Sequence, residues 1–202
     1  MRRTLVIMVK EPRPGRVKTR LGRDIGMTSA AWWFRHQTAR LIRGVGDPRW
    51  RIVLAVSPDR AGLQSRVWPA GCQRQPQGRG DLGNRMARLL RAQPPGPVCV
   101  IGADVPGITR RHVAQAFGVL ARADMVLGPA PDGGYWLVGL RHPSRAPGGL
   151  FAGVRWSSCH AMSDTVASVP SLRVAYAETL QDVDTLDDLR MTTGCTRATS
   201  TV

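Results

Sequence analysis

Short apolar runs that alternate with amphipathic helical patterns constrain the fold of this chain more than any other feature of its sequence. Short apolar runs bounded by turn residues are typical of buried strands. Their alternation with helices predicts an α/β protein with a doubly wound, mostly parallel (mixed) sheet. Ligands of such sheets bind beyond the carboxyl ends of the strands, so those ends are where chemistry is expected. The predicted strands are Thr4–Val9, Ile52–Ser57, Val98–Gly102, Met125–Gly128, Tyr135–Leu140 and Leu172–Tyr176.

Residues suited to helix capping mark where the predicted helices begin. Thr28 is the predicted N-cap of a helix that runs to about Gly44. Asp81 and Thr109 can each cap a later helix. A last helix is expected near Thr185, where Thr-Leu-Asp-Asp resembles a capping box with Asp in place of Glu.

The length of 202 residues suits one domain, which we predict over residues 1–192, followed by a polar tail at 193–202 that we expect to be flexible. The apolar run Leu5–Val9 is too short for a membrane span, and a buried first strand is a better interpretation than a signal peptide. We therefore expect a cytoplasmic protein without a membrane partner. The four cysteines show no C-x-x-C spacing, which predicts reduced thiols and no zinc site.

The formal net charge is +15, yet the basic residues follow no nucleic-acid-binding motif. Only Lys10 and Lys18 among the 29 basic residues are lysines, and the arginines are spread along the whole chain. Codon usage explains such a composition better than a nucleic-acid partner does. The charge would still attract phosphorylated substrates over long distances.

The loop after the first predicted strand holds both lysines of the chain. Compact ammonium groups at Lys10 and Lys18, with Arg16 and Arg20 between and beyond them, are the chemistry of a phosphate-binding loop. Gly15 would let the backbone approach a ligand closely. The alternative is a solvated basic surface loop. No Walker motif occurs, and no G-x-G-x-x-G segment follows the first predicted strand, which disfavours a P-loop and a dinucleotide-binding fold.

Aspartates stand at two positions where a hard cation could bind. Asp104 follows the buried run that ends at Gly102, and one or two carboxylates together with phosphate oxygens are typical Mg²⁺ ligands. Asp104 could instead cap the next helix, although Thr109 already suits that role. Asp184 is the candidate second ligand, and capping of the last helix is its alternative.

Two glycine-containing segments could contact the substrate. Asp132-Gly133-Gly134-Tyr135 offers bare backbone on which a sugar or base could rest, and an ordinary hairpin turn is the alternative. Gly80 and Asp81 precede a helix whose N-terminal amides could bind a phosphate or base, and Asp81 as a plain N-cap is the alternative.

Five segments together resemble one bacterial family, and they are, in chain order, Lys10–Leu21, Gln77–Met86, Ile101–Pro106, Gly128–Leu140 and Asp182–Leu189. That family is glycosyltransferase-A-like, was first described as a domain of unknown function, and carries the label of an arsenosugar-biosynthesis glycosyltransferase. The chain is also similar, more distantly, to the phospholactate and molybdenum-cofactor guanylyltransferases. It departs from the family pattern at Val105, Trp136 and Ser158.

The resemblance implies a three-layer α/β/α fold of the glycosyltransferase A type, as in nucleotide-diphospho-sugar transferases. It implies that Asp104 and Asp184 hold Mg²⁺ or Mn²⁺, that Lys18 and Arg20 contact phosphates, and that Gly133 and Gly134 line the acceptor or sugar pocket. It leaves the family's reaction open.

Three functions remain in competition on the sequence alone. The first is nucleotidyl transfer from an NTP to a small phosphorylated acceptor, with pyrophosphate as the leaving group. The second is glycosyl transfer from a nucleotide-sugar, in which Asp132 could serve as base. The third is a nucleotide- or nucleic-acid-binding protein without turnover. The sequence does not identify the nucleotide base or the acceptor, and it leaves open whether the chain forms a homo-oligomer.

Overall fold

A computed structural model describes residues 2–181, 183, 185, 186, 188 and 190. The predicted metal ligand Asp184 and the predicted tail at 193–202 lie outside these residues. The strands are β1 (Arg3–Lys10), β2 (Trp50–Ser57), β3 (Gln73–Pro76), β4 (Val98–Gly102), β5 (Met125–Pro129), β6 (Tyr135–Leu140) and β7 (Val174–Tyr176). The helices are α1 (Thr19–Ile25), α2 (Met27–Gly44), α3 (Asp59–Gln64), α4 (Leu82–Arg91), α5 (Arg110–Val119) and α6 (Ala161–Ala167), with a 3₁₀ turn at Pro143–Arg145.

The strands form one mixed sheet in the order β3-β2-β1-β4-β6-β5-β7. Every pairing is parallel except those of β6, which runs antiparallel to both β4 and β5. The predicted doubly wound, mostly parallel sheet is therefore confirmed. Strands β1 and β4 are neighbours in register, with Met8 opposite Gly102, so the loops that follow them leave the sheet side by side.

Both faces of the sheet are buried, as expected for strands with helices on either side. In β1 the alternate residues Leu5, Ile7 and Val9 pack into one core with α2 and α5. The intervening Val6 packs into a second core with α4 on the opposite face. The sheet is thus held rigidly from both sides, and its carboxyl edge is a fixed platform for the loops.

The capping residues behave largely as the sequence predicts. The Asp81 side chain accepts from the Asn84 amide at 2.7 Å, and Thr109 forms a capping box with His112. Thr185 and Asp188 exchange reciprocal bonds, since the Thr185 amide donates to Asp188 Oδ2 at 2.8 Å and the Asp188 amide donates to Thr185 Oγ1 at 3.3 Å.

The prediction of Thr28 as an N-cap is wrong. Helix α2 begins at Met27 and has Gly26 as its N-cap, without a side-chain cap. The physical reason is that α1 ends at Ile25, directly before Gly26. The Gly26 amide donates to the Gly22 carbonyl in α1, and the Gly26 carbonyl accepts from the Ala30 amide in α2. One glycine therefore closes one helix and opens the next.

Within the described residues, no helix combines the length and the apolar character needed to cross a membrane.

Candidate active site

A cleft of about 800 Å³ opens at the carboxyl ends of β1 and β4, beside the start of β6. This is the edge at which parallel α/β sheets bind ligands. Six parts of the chain line the cleft. They are Met8 and Lys10 with Arg16–Arg20; Phe34; Gln77 with Leu82, Arg85 and Met86; Val100–Val105; Ala130–Val138 apart from Pro131 and Gly133; and Trp156–Cys159 with Ala161.

Four cations from the end of β1, the loop after it and the start of α1 line one side of this cleft. They are Lys10, Arg16, Lys18 and Arg20, all of which the sequence predicts as phosphate contacts. Gly15 does not line the cleft; it has a φ of 71° and turns the loop on its outer side. The cations form a surface suited to an anion of several charges.

Lys18 is held in place by its backbone and by its surroundings. It is the N-cap of α1 and has a left-handed conformation (φ 46°, ψ 48°), which non-glycine residues adopt infrequently. Its side chain is only 6% exposed, and Nζ donates to Asp104 Oδ2 at 2.9 Å. The two residues stand 86 positions apart in the chain and meet because β1 and β4 are neighbours.

Two further contacts involve Asp104, one at its carboxylate and one at its backbone carbonyl. Its Oδ1 rests against Gly102, where a Cβ atom would lie only 2.7 Å from that oxygen. The Asp104 carbonyl accepts from the Val183 amide at 3.2 Å, which brings the segment after β7 to the same point. With 37% of its side chain exposed, Asp104 is accessible from the cleft.

The donor set around Asp104 fits a hard divalent cation that also binds phosphate. Among the described residues, no three His, Cys, Asp or Glu side chains are grouped so as to hold a metal ion on their own. Mg²⁺, however, commonly takes one or two carboxylates and completes its coordination with phosphate oxygens and water. The Lys18 ammonium at 2.9 Å shows that this carboxylate already attracts a positive charge.

The hairpin between β5 and β6 forms the opposite side of the cleft. The hairpin interpretation of Asp132–Gly134 is confirmed, and Asp132, Gly134 and Tyr135 also line the cleft. Asp132 Oδ1 accepts from the Gly134 amide at 2.9 Å, which tightens the turn. The Tyr135 hydroxyl lies 3.2 Å from Thr165 Oγ1, and burial raises the pKa of this phenol well above its ordinary value. Tyr135 is therefore a neutral part of the wall.

Gly133 locks the hairpin onto a second segment. Its φ is +84°, and a Cβ atom there would lie 2.2 Å from the Cys159 carbonyl oxygen. The Gly133 carbonyl accepts from the Met162 amide at 3.0 Å. Gly133 thus supports the cleft from behind and does not line it.

Sequence reasoning did not assign the segment Trp156–Cys159, which completes this wall. The Trp156 ring packs edge-on against Tyr135 at 6.4 Å and lies 6.0 Å from Phe151. At its start, Arg155 forms two bonds of 2.9 Å to the Asp164 carboxylate in α6. Hydrogen bonding from Arg155 lowers the pKa of Asp164 to about 2. The sequence signal that could have indicated this segment is Trp156-Ser157-Ser158, where the chain departs from the family pattern.

The start of α4 contributes differently from what the sequence suggested. Neither Gly80 nor Asp81 lines the cleft, and Asp81 acts as an N-cap. Arg85, one turn further on, does line it. So does the buried Gln77, whose Nε2 donates to the Val9 carbonyl at 3.1 Å and to the Ala55 carbonyl at 2.9 Å. Gln77 ties the loop before α4 to β1 and β2.

Comparison with solved structures places this geometry in a known fold. A protein from Desulfovibrio desulfuricans G20, provisionally described as a nucleotide-diphospho-sugar transferase, is 29% identical with a TM-score of 0.88 and is matched over 99% of this chain and 90% of that chain. The 4-diphosphocytidyl-2C-methyl-D-erythritol synthase from Anaerococcus prevotii DSM 20548 is 9% identical with a TM-score of 0.63, over 97% of this chain and 96% of that one. Rv0371c from Mycobacterium tuberculosis H37Rv, in complex with manganese, is 17% identical with a TM-score of 0.55, over 95% and 97%.

At the sequence level, a family model described as an uncharacterized protein conserved in bacteria (DUF2064) matches residues 41–158, more than half of the chain. No curated protein matches this chain. The matched range includes Gln77, Asp104 and the hairpin that carries Asp132, and it begins after the basic loop.

Proposed function

The chain belongs to the DUF2064 family of bacterial proteins, and from that premise we propose that this nucleotide-using transferase moves a nucleotidyl group from an NTP to a small phosphorylated acceptor, with release of pyrophosphate. One observation carries the proposal. The Lys18–Asp104 contact joins the basic loop after β1 to the carboxylate after β4 within a single cleft. Phosphate-binding cations and a carboxylate suited to a metal ion therefore face the same bound molecule.

The phosphates of the NTP would lie against Lys10, Arg16, Lys18 and Arg20. These side chains bind the β- and γ-phosphates and hold the triphosphate in one orientation, which is how fixed charges lower a barrier without reorganising during the reaction. The same cations favour departure of pyrophosphate, because they stabilise the charge that develops on it. The net charge of +15 would raise the local concentration of such anions around the chain.

Asp104 and Asp184 would hold the Mg²⁺ or Mn²⁺ ion. When bound, such an ion neutralises phosphate oxygens and stabilises the charge of the transition state. Two findings support this assignment. Val183, covalently next to residue 184, donates to the Asp104 carbonyl, and the related fold of Rv0371c has been solved with manganese.

The acceptor would lie against Asp132, Gly134, Tyr135 and Trp156, across the cleft from the cations. An oxygen of the acceptor phosphate would attack the α-phosphorus in line, forming a new P–O bond as the bond to the bridging oxygen of pyrophosphate breaks. The attacking phosphate is already anionic, so no side chain needs to remove a proton. The contribution of this wall is to position the acceptor.

Glycosyl transfer from a nucleotide-sugar is the second candidate. It is favoured by the position of Asp132 in a wall that also carries Ser157 and Ser158. In that reaction Asp132 would take the proton of an acceptor hydroxyl, the new glycosidic bond would form, and a nucleoside diphosphate would leave. The cation-rich loop can stabilise either leaving group. A departing pyrophosphate, however, would contact more of the cations in this loop than the diphosphate of a nucleotide would.

Product analysis separates the two reactions. The protein is incubated with Mg²⁺ or Mn²⁺, each NTP and a panel of sugar phosphates, and pyrophosphate is measured. Parallel reactions contain nucleotide-sugars and sugar acceptors, and nucleoside diphosphate is measured. Acceptor-dependent pyrophosphate release supports our proposal, whereas acceptor-dependent release of nucleoside diphosphate alone would replace it with glycosyl transfer.

Substitution of Asp104 tests the site within the same assay. Asp104→Asn removes the negative charge while keeping the size of the side chain, and we expect turnover to fall at least about 100-fold. Asp81→Asn is the matched control, since it makes the same change at an N-cap outside the cleft and Asn caps helices as well as Asp does. Undiminished turnover of the Asp104 variant would refute the assignment.

A further inference from the structure

We propose that Lys18 is an internal counter-ion that competes with the divalent cation for Asp104, so that metal binds well only together with the phosphates of the nucleotide. The inference rests on the proposed function, because it concerns the same metal and the same phosphates. It adds an order to their binding: metal and nucleotide enter as one complex, and the free protein discriminates against metal alone.

Lys18 and Asp104 form a direct ion pair. Lys18 Nζ lies 2.9 Å from Asp104 Oδ2, which is the distance of a direct, charge-assisted hydrogen bond. The other oxygen, Oδ1, is backed by Gly102. A metal ion that took Oδ2 would therefore have to displace the ammonium group or lie beside it.

The positive charge around Asp104 disfavours binding of a metal ion alone. The Lys18 side chain is only 6% exposed, so a divalent ion close to its ammonium group would meet strong repulsion that water screens weakly. Arg16 lines the same cleft and adds to that repulsion. Metal alone would thus have a low affinity for this carboxylate.

A bound polyphosphate reverses the balance. Its oxygens can take the Lys18 ammonium, because Lys18 lines the cleft as well as contacting Asp104. The carboxylate is then released for the metal, which the same phosphate chain also binds. By linkage, phosphates and metal must each raise the other's affinity by the same factor.

The test measures metal binding directly, without turnover. The affinity of the nucleotide-free protein for Mn²⁺ is determined by electron paramagnetic resonance of the free ion, for the wild type, for Lys18→Met and for Lys18→Gln. We expect both variants to bind Mn²⁺ about 10- to 100-fold more tightly than the wild type, because the competing charge is gone. Circular dichroism establishes that each variant is folded. Because Met and Gln differ in polarity, the test remains possible if one of the two Lys18 variants does not fold.

Lys10→Met is the matched control. It removes the same charge from the same cleft, but no ion pair or hydrogen bond is seen for the Lys10 side chain in the described part of the chain. We expect its Mn²⁺ affinity to change less than about threefold. An equal gain for the Lys10 and Lys18 variants would overturn the inference, since it would mean that only the summed charge of the cleft matters.

Binding of the Mn²⁺–tripolyphosphate complex, followed by calorimetry, separates this inference from the proposed function. If the wild type binds the complex but the Lys18 variants bind Mn²⁺ alone no better than the wild type, the counter-ion role is wrong and the metal site stands. If neither the wild type nor the Lys18 variants bind Mn²⁺ with or without tripolyphosphate, the metal assignment fails and the counter-ion role fails with it.

Discussion

Replacement of Gly133 by alanine tests whether the hairpin and the segment Trp156–Cys159 form one wall. The backbone at Gly133 has a φ of +84°, where an alanine is destabilised by roughly 1–2 kcal/mol. The new Cβ would also lie 2.2 Å from the Cys159 carbonyl oxygen and 2.6 Å from its Cα, so two backbones must separate. Such overpacking contributes a further 1–3 kcal/mol or so. We expect a total loss of about 3 kcal/mol.

Gly153→Ala is the control that isolates the steric part. Gly153 has a similar φ of +72°, but nothing lies within 4 Å of the position its Cβ would occupy. The difference between the two variants should therefore be about 2 kcal/mol, which for a chain of this length corresponds to about 4–8 °C in Tm. Thermal unfolding followed by circular dichroism measures both. Equal Tm values for the two variants would refute the contact between the hairpin and Cys159.

Two further predictions concern the cleft and its support. Gly102→Ala places a Cβ 2.7 Å from Asp104 Oδ1, an atom at the end of a movable side chain. We therefore expect Tm to change by only about 1–2 °C, while the affinity for Mn²⁺ in the presence of tripolyphosphate falls at least about tenfold. Unchanged Mn²⁺ affinity would contradict the role of Gly102 in positioning the Asp104 carboxylate. Arg155 lowers the pKa of Asp164 to about 2 from an ordinary 3.8, so its stabilising effect should be complete above about pH 4 and disappear as the pH falls towards 2. Urea unfolding of the wild type and Asp164→Asn should thus show a difference that shrinks only below about pH 4, and a difference independent of pH from 2 to 7 would refute the pairing.

The sequence was sufficient for those elements whose local pattern and tertiary position agree. Strands β4 and β6 have the predicted bounds, because each is a dense apolar run closed by turn residues. The elements that sequence reasoning missed lack such a pattern. Strand β3 (Gln73–Pro76) is a polar edge strand, and it exists because β2 provides a partner along one side. Helix α1 has seven residues inside what looked like one basic loop, and it depends on packing against α2.

The site was predictable as a set of residue types but not as a set of contacts. Lysines in the first loop and an aspartate after a buried strand indicate phosphate and metal chemistry from residue properties alone. Their direct pairing could not be predicted, because it depends on β1 and β4 being neighbours. The position of Trp156–Cys159 beside the cleft depends on tertiary contacts such as the close approach of Gly133 to Cys159, for which no local pattern exists.

The reversed direction of β6 has a consequence for how such a protein can diversify. The basic half of the cleft, where we propose that the phosphates bind, comes from residues before 106, whereas the opposite half comes from the hairpin at β6 and from Trp156–Cys159. Under the proposed function, recognition of the donor phosphates and recognition of the acceptor would therefore be encoded in separate stretches of the gene. We expect related chains to exchange one reactant for another through changes confined to the second stretch, while the first is inherited intact.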